Sequence, residues 1–176
     1  HQPAQVNTSR PLVIAHRGAS GELPEHTWPA YSLAILQGAD YIEPDLVISR
    51  DGVLVARHDA ELSTTTDIAT RPEFSLRRRR QVIDGSPIEG WFVDDFTLEE
   101  LRTLRARERF ADLRPQSASH DGQYGIVTFA EILHYLATIN SARRDAGRPP
   151  VGVYPETRNP THFRARDLPL EPPLLA

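Results

Sequence analysis

The sequence predicts an α/β fold built on parallel strands, and four short apolar runs are the observations behind this prediction. Each run is followed by residue types that serve in catalysis: His16 and Arg17, Glu43 and Asp45, His58 and Asp59, and finally Glu156. Parallel strands of an α/β barrel end at one mouth, which is where such folds build their active sites. The order of predicted elements, β-α-β-β-α-α-β, also agrees with a parallel sheet covered by helices.

The N-terminal part predicts a strand and a helix after a polar lead-in. Residues 1–11 are expected to form a loose lead-in to a domain over residues 12–176. The apolar run 12–15 predicts the first strand. Thr27 is placed to cap the helix that follows, and Gly38 is placed to end it.

Two further strands and an irregular stretch come next. Apolar runs predict a second strand over 41–48 and a third over 53–56, with the turn signal Asp51-Gly52 between them. Residues from about 60 to 96 show neither a helical nor a strand period. We therefore expect a small inserted subdomain over residues 60–96, placed over the mouth of the barrel.

Two helices and a fourth strand are predicted for the rest of the chain. The capping-box pattern at Thr97 predicts a helix through about residue 107. A longer helix starts after Thr128. Its apolar face is predicted to contain Phe129, Ile132, Leu133, Leu136 and Ile139. The fourth strand begins at Val151, and residues 168–176 are expected to start one more helix.

The length of the chain limits how much of a barrel it can form. It has 176 residues, whereas a (β/α)8 barrel needs about 250. Four predicted strands are half of the eight that close a barrel. We therefore expect about the first half of a barrel, in a partial copy of a longer protein; a smaller, complete α/β domain with an irregular tail is the alternative.

The composition excludes several classes of protein. The chain has no Cys, which excludes a disulfide scaffold, a thiolate metal site and a cysteine nucleophile. The formal net charge of −4 argues against nucleic-acid binding. No apolar run approaches the ~20 residues of a spanning helix, so stable membrane insertion is not expected.

Carboxylates at the strand ends predict a site for a hard divalent cation. Glu43 and Asp45 are two residues apart on a strand, so their side chains lie on the same side of the sheet. Two carboxylates that close repel one another unless a cation joins them. Glu156, after the fourth strand, is positioned to supply a third carboxylate. Oxygen ligands without cysteine favour Ca²⁺ or Mg²⁺.

Two histidines and one arginine are the other candidates for catalysis. His16 and His58 follow the first and third strands and fit an acid and base pair near neutral pH. Arg17 offers a planar fork that suits phosphate oxygens. The remaining histidines have no such placement and are expected to be structural: His26, His120, His134 and His162.

Six motifs, in order along nearly the whole chain, resemble one known family. They cover residues 14–20 (IAHRGAS), 23–27 (LPEHT), 38–45 (GADYIEPD), 58–59 (HD), 90–101 (GWFVDDFTLEEL) and 153–156 (VYPE). Any one of them alone is a weak signal, but together they are specific. They resemble the glycerophosphodiester phosphodiesterases, in particular the periplasmic, calcium-dependent branch of that family.

The resemblance implies a fold, an activity and a cation. The fold would be a TIM-type (β/α)8 barrel with a small inserted subdomain. The activity would be metal-dependent hydrolysis of a small-molecule glycerophosphodiester, such as glycerophosphocholine, to an alcohol and glycerol 3-phosphate. Glu43, Asp45 and Glu156 would hold the cation, which would be Ca²⁺ with Mg²⁺ as the alternative. Together with a first residue that is not Met, the resemblance leads us to expect an extracytoplasmic location, periplasmic or secreted.

The resemblance also implies roles for the remaining candidates. His16 and His58 would be the acid and the base, in an order that the sequence leaves open, and Arg17 would hold the phosphate. Glu25, in the second motif, is a further candidate for the site. So is Arg158, which stands where the family often has Lys.

Two further differences from the family add to the one at Arg158, and two alternatives to the implied activity stay open. His26 stands where the family usually has Asn, and the later strands that complete the family's pocket are absent from the sequence. The alternatives are phospholipase D-type activity on intact lipids, and a fragment that binds metal and phosphate without turnover. The open sheet edges of half a barrel would then be covered by the missing C-terminal half or by a dimer partner.

Overall fold

The computed structural model describes residues 10–175, so the lead-in predicted for residues 1–11 lies almost wholly outside the described residues. The strands are β1 (Ile14–His16), β2 (Tyr41–Glu43), β3 (Asp45–Ile48), β4 (Leu54–Ala56), β5 (Arg79–Ile83), β6 (Ser86–Gly90), β7 (Gly152–Val153) and β8 (Glu156–Thr157). The α-helices are α1 (Trp28–Leu36), α2 (Leu98–Leu101), α3 (Pro115–Ala118), α4 (Phe129–Asp145), α5 (Pro160–Ala165) and α6 (Glu171–Leu175).

Parallel pairing joins strands that are far apart in the sequence. β2 lies between β1 and β7, and β3 pairs with β8, all in parallel. The predicted second strand, 41–48, is divided into β2 and β3 at Pro44, which has no N–H to give to a ladder. The predicted fourth strand is likewise divided into β7 and β8 at Tyr154 and Pro155. The N–H of Glu156 donates to the carbonyl of Pro44 at 3.0 Å, so the divided strands stay side by side.

The third predicted strand is present, but its direction differs from the expected parallel arrangement. β4 runs antiparallel to β3. Only residues 49–53 connect these two strands, whereas a parallel crossover needs a dozen residues or more. Gly52, at φ +81°, provides the left-handed conformation that the turn requires. The Ser49 N–H closes this hairpin on the carbonyl of Val53 at 2.9 Å.

Residues 60–96 contain regular structure that the sequence did not indicate. β5 and β6 form an antiparallel hairpin that turns at Asp84-Gly85. Along β5 only Ile83 is buried, while arginines occupy positions 79 and 80. Polar residues on both faces hide the alternation that normally identifies a strand. Pro87 in β6 is a second feature that argues against a strand by sequence alone.

The predicted helix caps at Thr27, Thr97 and Thr128 are confirmed. Thr27 Oγ1 accepts from the N–H of Ala30 at 3.4 Å at the start of α1. Thr97 and Thr128 each form a capping box with the glutamate three residues later. The helix after Thr97 is shorter than predicted and ends at Leu101. The chain turns at residues 102–103, and the Ala106 N–H then donates to the carbonyl of Tyr124 at 2.7 Å and not to a helical partner.

The long helix α4 packs part of its predicted apolar face on the sheet. Ile132 and Leu136 are buried in one cluster with Tyr31 and Ile42. Leu133, which was predicted for the same face, is exposed. The apolar stripe is therefore narrower than predicted, and it holds α1, α4 and β2 together behind the strand ends.

The described strands leave open edges. β1 is paired with β2 on one side only, and within residues 10–175 the strands do not close into a barrel. Leu12, Val13 and Ile14 are exposed along this edge. No helix of residues 10–175 has the length and the apolar character that crossing a bilayer requires.

Candidate metal centre and active site

Strand register brings four candidate residues to one point. In the β1–β2 pair His16 lies opposite Glu43, and in the β3–β8 pair Asp45 lies opposite Glu156. Each of these four residues offers a ligand atom, and the four atoms lie within 4.8 Å of one another. The structure thus brings together the three predicted carboxylates, with His16 as their neighbour. His16 Nε2 is 3.7 Å from Glu43 Oε1.

The surroundings of Asp45 fit a bound cation. Its side chain is fully buried, and Oδ1 has no hydrogen-bond partner among the residues the structure describes. A buried carboxylate oxygen without a partner is costly, and a cation would satisfy it. Burial by itself would raise the pKa of Asp45, but the hydrogen bond from His26 lowers it. Asp45 is therefore ionised and able to bind a cation.

The pKa of Glu43 is shifted in the opposite direction to that of Asp45. Burial and the neighbouring carboxylates of Glu156 and Asp45 raise its pKa, against the lowering effect of His16. Like charges at this distance favour the protonated form unless a positive charge joins them. A divalent cation would supply that charge, so the donor set fits a hard cation.

A hydrogen-bonded network connects the other candidates. His58 Nδ1 and Asp59 Oδ1 are 2.8 Å apart, and the second oxygen of Asp59 accepts from Arg109. Arg109 also donates to both oxygens of Glu25, at 3.0 and 3.3 Å. Glu25 in turn accepts from Arg17 Nη1 at 3.4 Å. The network therefore links the candidate acid or base His58 to the candidate phosphate ligand Arg17.

The carboxylates of this network are held ionised. Burial would raise the pKa of Glu25, but the hydrogen bond and charge of Arg109, with Arg57 and Arg17 nearby, lower it to about 2. The partners His58 and Arg109 likewise hold the pKa of Asp59 well below its ordinary value, against the effect of burial. Arg57 is fully buried and donates from Nη2 to the carbonyl of Glu25 at 2.7 Å.

The backbone conformation explains why the residue after His16 and Arg17 is a glycine, Gly18. Arg17 has φ 62° and Gly18 has φ 82°. A Cβ on Gly18 would lie 2.7 Å from the backbone of Ala30 in α1. Only glycine allows the loop to pass this close to the helix. The close approach places Arg17 beside Asp45, with 4.0 Å between Arg17 Nε and Asp45 Oδ2.

Arg158 lies between the metal candidates and His58. Its Nη1 donates to Glu156 Oε1 at 3.2 Å, and its Nε donates to the carbonyl of His58 at 3.2 Å. A cavity of about 390 Å³ adjoins this contact and is bordered by Asp59, Arg109 and the β5–β6 hairpin. The inserted hairpin thus lies beside the candidate site.

A comparison with known protein families agrees with this geometry. The sequence profile of the glycerophosphoryl diester phosphodiesterase family matches residues 16–147. The chain belongs to this family. A glycerophosphodiester phosphodiesterase of Arabidopsis thaliana is 46% identical over 155 residues, which are 88% of this chain and 39% of that protein. One of Haemophilus influenzae is 35% identical over 184 residues, covering 97% of this chain and 47% of its own length.

A solved structure extends the similarity to the fold. A phosphodiesterase of Oleispira antarctica, in complex with the product sn-glycerol-3-phosphate, has a TM-score of 0.57 at 26% identity. The match covers 87% of this chain and 47% of that one. The chain is therefore part of the TIM-type barrel of the phosphodiesterase family, and it spans less than half the length of these relatives.

The structure adds two residues to the site that the sequence did not indicate. His26, which was expected to be structural, is fully buried, and its Nε2 is 2.9 Å from Asp45 Oδ2. Burial lowers the pKa of His26 to about 4. Arg109 joins Glu25 to Asp59 but follows no apolar run. For His26, membership of the LPEHT motif was the available signal; for Arg109, the sequence held none.

Proposed function

We propose that this chain carries the first half of the active site of a metal-dependent phosphodiesterase. The reaction is hydrolysis of a glycerophosphodiester to an alcohol and glycerol 3-phosphate. One observation carries the proposal: His16, Glu43, Asp45 and Glu156 converge from separate strands around a buried carboxylate oxygen that has no protein partner among residues 10–175. The product bound to the Oleispira antarctica relative supports the same substrate class.

The proposed cation is Ca²⁺, with Mg²⁺ as the alternative. Glu43, Asp45 and Glu156 would hold it, and when bound it would supply positive charge to the phosphate oxygens. Three carboxylates and no thiolate favour a hard cation that accepts oxygen ligands. Ca²⁺ tolerates the flexible geometry of separate strand ends better than Mg²⁺, which demands a near-ideal octahedron.

The protein's own residues supply proton transfer and phosphate binding in this proposal. His58 directs Nδ1 at Asp59, so its Nε2 is left to exchange a proton with the substrate. His16 is the partner in the acid and base pair. One histidine takes the proton of the nucleophile, which is water or the substrate's vicinal hydroxyl, and the other protonates the leaving alkoxide. Attack by the hydroxyl would leave a cyclic phosphate, which water then opens to glycerol 3-phosphate. Arg17, oriented by Glu25, places its fork on the phosphate oxygens.

The open edges of the sheet point to a covering partner. Leu12, Val13 and Ile14 are exposed beside β1, whose outer edge is unpaired among the described residues. The relatives are more than twice as long as this chain. We therefore propose that further strands, from the rest of a longer polypeptide or from a dimer partner, complete the barrel. Light scattering tests for self-association.

We also propose an extracytoplasmic location, periplasmic or secreted. The motifs of this chain resemble those of the periplasmic, calcium-dependent branch, and extracytoplasmic compartments hold the Ca²⁺ concentrations that weaker sites need. Fractionation of the source cells with an antibody to this chain tests the location.

The activity is tested by measuring glycerol 3-phosphate release from glycerophosphocholine with added Ca²⁺ and again with a chelator. Release that the chelator abolishes is the expected result. Sphingomyelin in place of glycerophosphocholine tests the phospholipase D-type alternative. If the protein turns over sphingomyelin and not glycerophosphocholine, the phospholipase D-type activity replaces the proposed one. Calcium binding without turnover would support the inactive-fragment alternative, and absence of both would overturn the metal site.

A further inference from the structure

His26 has two side-chain partners, one for each ring nitrogen. Nε2 is 2.9 Å from Asp45 Oδ2, and Nδ1 is hydrogen-bonded to the hydroxyl of Tyr31. A neutral imidazole donates from one nitrogen and accepts at the other. A carboxylate only accepts hydrogen bonds, so Nε2 donates to Asp45, and Nδ1 then accepts from the Tyr31 hydroxyl. All three side chains are fully buried, so water does not compete for these bonds.

This chain of hydrogen bonds determines which oxygen of Asp45 is available to a ligand. Oδ2 is occupied by His26, whereas Oδ1 is buried and without a hydrogen-bond partner within residues 10–175. Tyr31 belongs to α1 and packs in the cluster that joins α1, α4 and β2. The orientation of the carboxylate is thus set from the helix layer behind the strand.

The backbone of His26 holds the loop that bears Arg17. His26 has φ 55° and Arg17 has φ 62°, both in the left-handed region that such residues rarely adopt. The His26 N–H donates to the carbonyl of Arg17 at 3.0 Å. Residues in this region persist only where the surroundings fix them, and they cluster at functional sites. Here one residue contacts both the carboxylate of Asp45 and the backbone of Arg17.

We propose that His26 is a positioning residue that orients Asp45 for the cation through a Tyr31–His26–Asp45 hydrogen-bond chain. The inference rests on the proposed function insofar as it assumes that Asp45 binds a cation. Removing such a supporting partner typically weakens metal affinity by about 10–100-fold. Substituting His26 should therefore weaken the binding of the cation. It should also lower the stability of the apo protein, because Asp45 Oδ2 and the Tyr31 hydroxyl lose a buried partner.

Three variants separate the roles of the two nitrogens of His26, and a fourth serves as the control. Gln is long enough to place an amide N–H where Nε2 stands, so H26Q keeps the donor to Asp45. Like His, Asn tolerates the left-handed backbone. Its side chain is shorter than that of Gln, so H26N loses the donor to Asp45. Y31F removes only the hydroxyl that holds Nδ1. H134N makes the same chemical change as H26N at an exposed histidine on α4 and serves as the matched control.

The experiment is calorimetric titration of the apo protein with Ca²⁺, together with thermal unfolding of each apo variant. We expect H26N to weaken Ca²⁺ binding by about 10-fold or more, and H26Q and H134N to remain close to wild type. Y31F should weaken binding by a smaller factor and lower the unfolding temperature, because Nδ1 of His26 loses its buried partner. Wild-type affinity in H26N overturns the positioning role, and so does wild-type affinity in Y31F if H26N does not fold. Failure of the wild-type chain to bind Ca²⁺ overturns the proposed metal site instead.

Discussion

Asp45 and Glu156 occupy paired positions in the register of two parallel strands, although they lie far apart in the sequence. The pairing makes each carboxylate part of a centre that neither strand forms alone. β8 has only two residues, and its contact with β3 is what fixes Glu156 beside the buried Asp45. The candidate centre therefore depends on the docking of the C-terminal part of the chain.

Replacing Glu156 tests this dependence. E156Q keeps the shape of the side chain but removes its charge, so Ca²⁺ affinity should fall by at least the roughly 10-fold that losing a supporting partner costs. Calorimetry measures the affinity. E99Q is the matched control because Glu99 is exposed on α2. Equal affinities for the two variants would remove Glu156 from the proposed ligands.

His16 offers a test that separates binding from catalysis. It lies within the candidate ligand group, yet a hard cation prefers oxygen. H16A should therefore retain Ca²⁺ affinity within a few-fold, while the rate of glycerol 3-phosphate release falls by roughly 10²–10⁴. A large loss of Ca²⁺ affinity would instead make His16 a ligand and favour a transition metal.

Arg109 should be a major contributor to the stability of the site. It is the shared partner of Glu25, which is almost fully buried, and of Asp59. R109A leaves both carboxylates without this partner and should lower the free energy of unfolding by about 3 kcal/mol. Urea unfolding measures the change. In the control R78A an exposed pair with Glu89 is lost, which should cost less than about 1 kcal/mol. Similar losses in both variants would contradict the buried-network interpretation.

The low pKa of Glu25 predicts a loss of stability in acid. Its pKa is lowered from 4.5 to about 2 in the folded chain. The unfolded state therefore takes up the proton first as the pH falls, so this stabilisation is present above about pH 4.5 and is lost towards pH 2. The size of the shift corresponds to roughly 3 kcal/mol. Asp59, whose pKa is also lowered, changes stability in the same direction.

Urea unfolding of the apo protein between pH 7 and pH 3 measures this effect. E25Q cannot titrate at this position, so its free energy of unfolding should decrease less steeply with falling pH than that of wild type. Parallel curves for the two proteins would show that Glu25 is not held ionised by Arg109 in the folded state.

The sequence by itself determined the local features, which depend on residues close to one another along the chain. The caps at Thr27, Thr97 and Thr128 are encoded by a few consecutive residues, and the structure has all three. The apolar runs located strand ends that bear His16 and Glu43. Polar residues at the end of an apolar run are a local pattern, and strands that pair in parallel bring such ends to the same edge.

Only the tertiary structure decided which of these residues meet and what supports them. The antiparallel direction of β4 depends on the turn geometry at Gly52, and the β5–β6 hairpin depends on pairing between strands that lack an apolar alternation. His26 and Arg109 entered the site through hydrogen bonds to Asp45 and Asp59. Such bonds form between residues that packing brings together, so no pattern along the sequence records them.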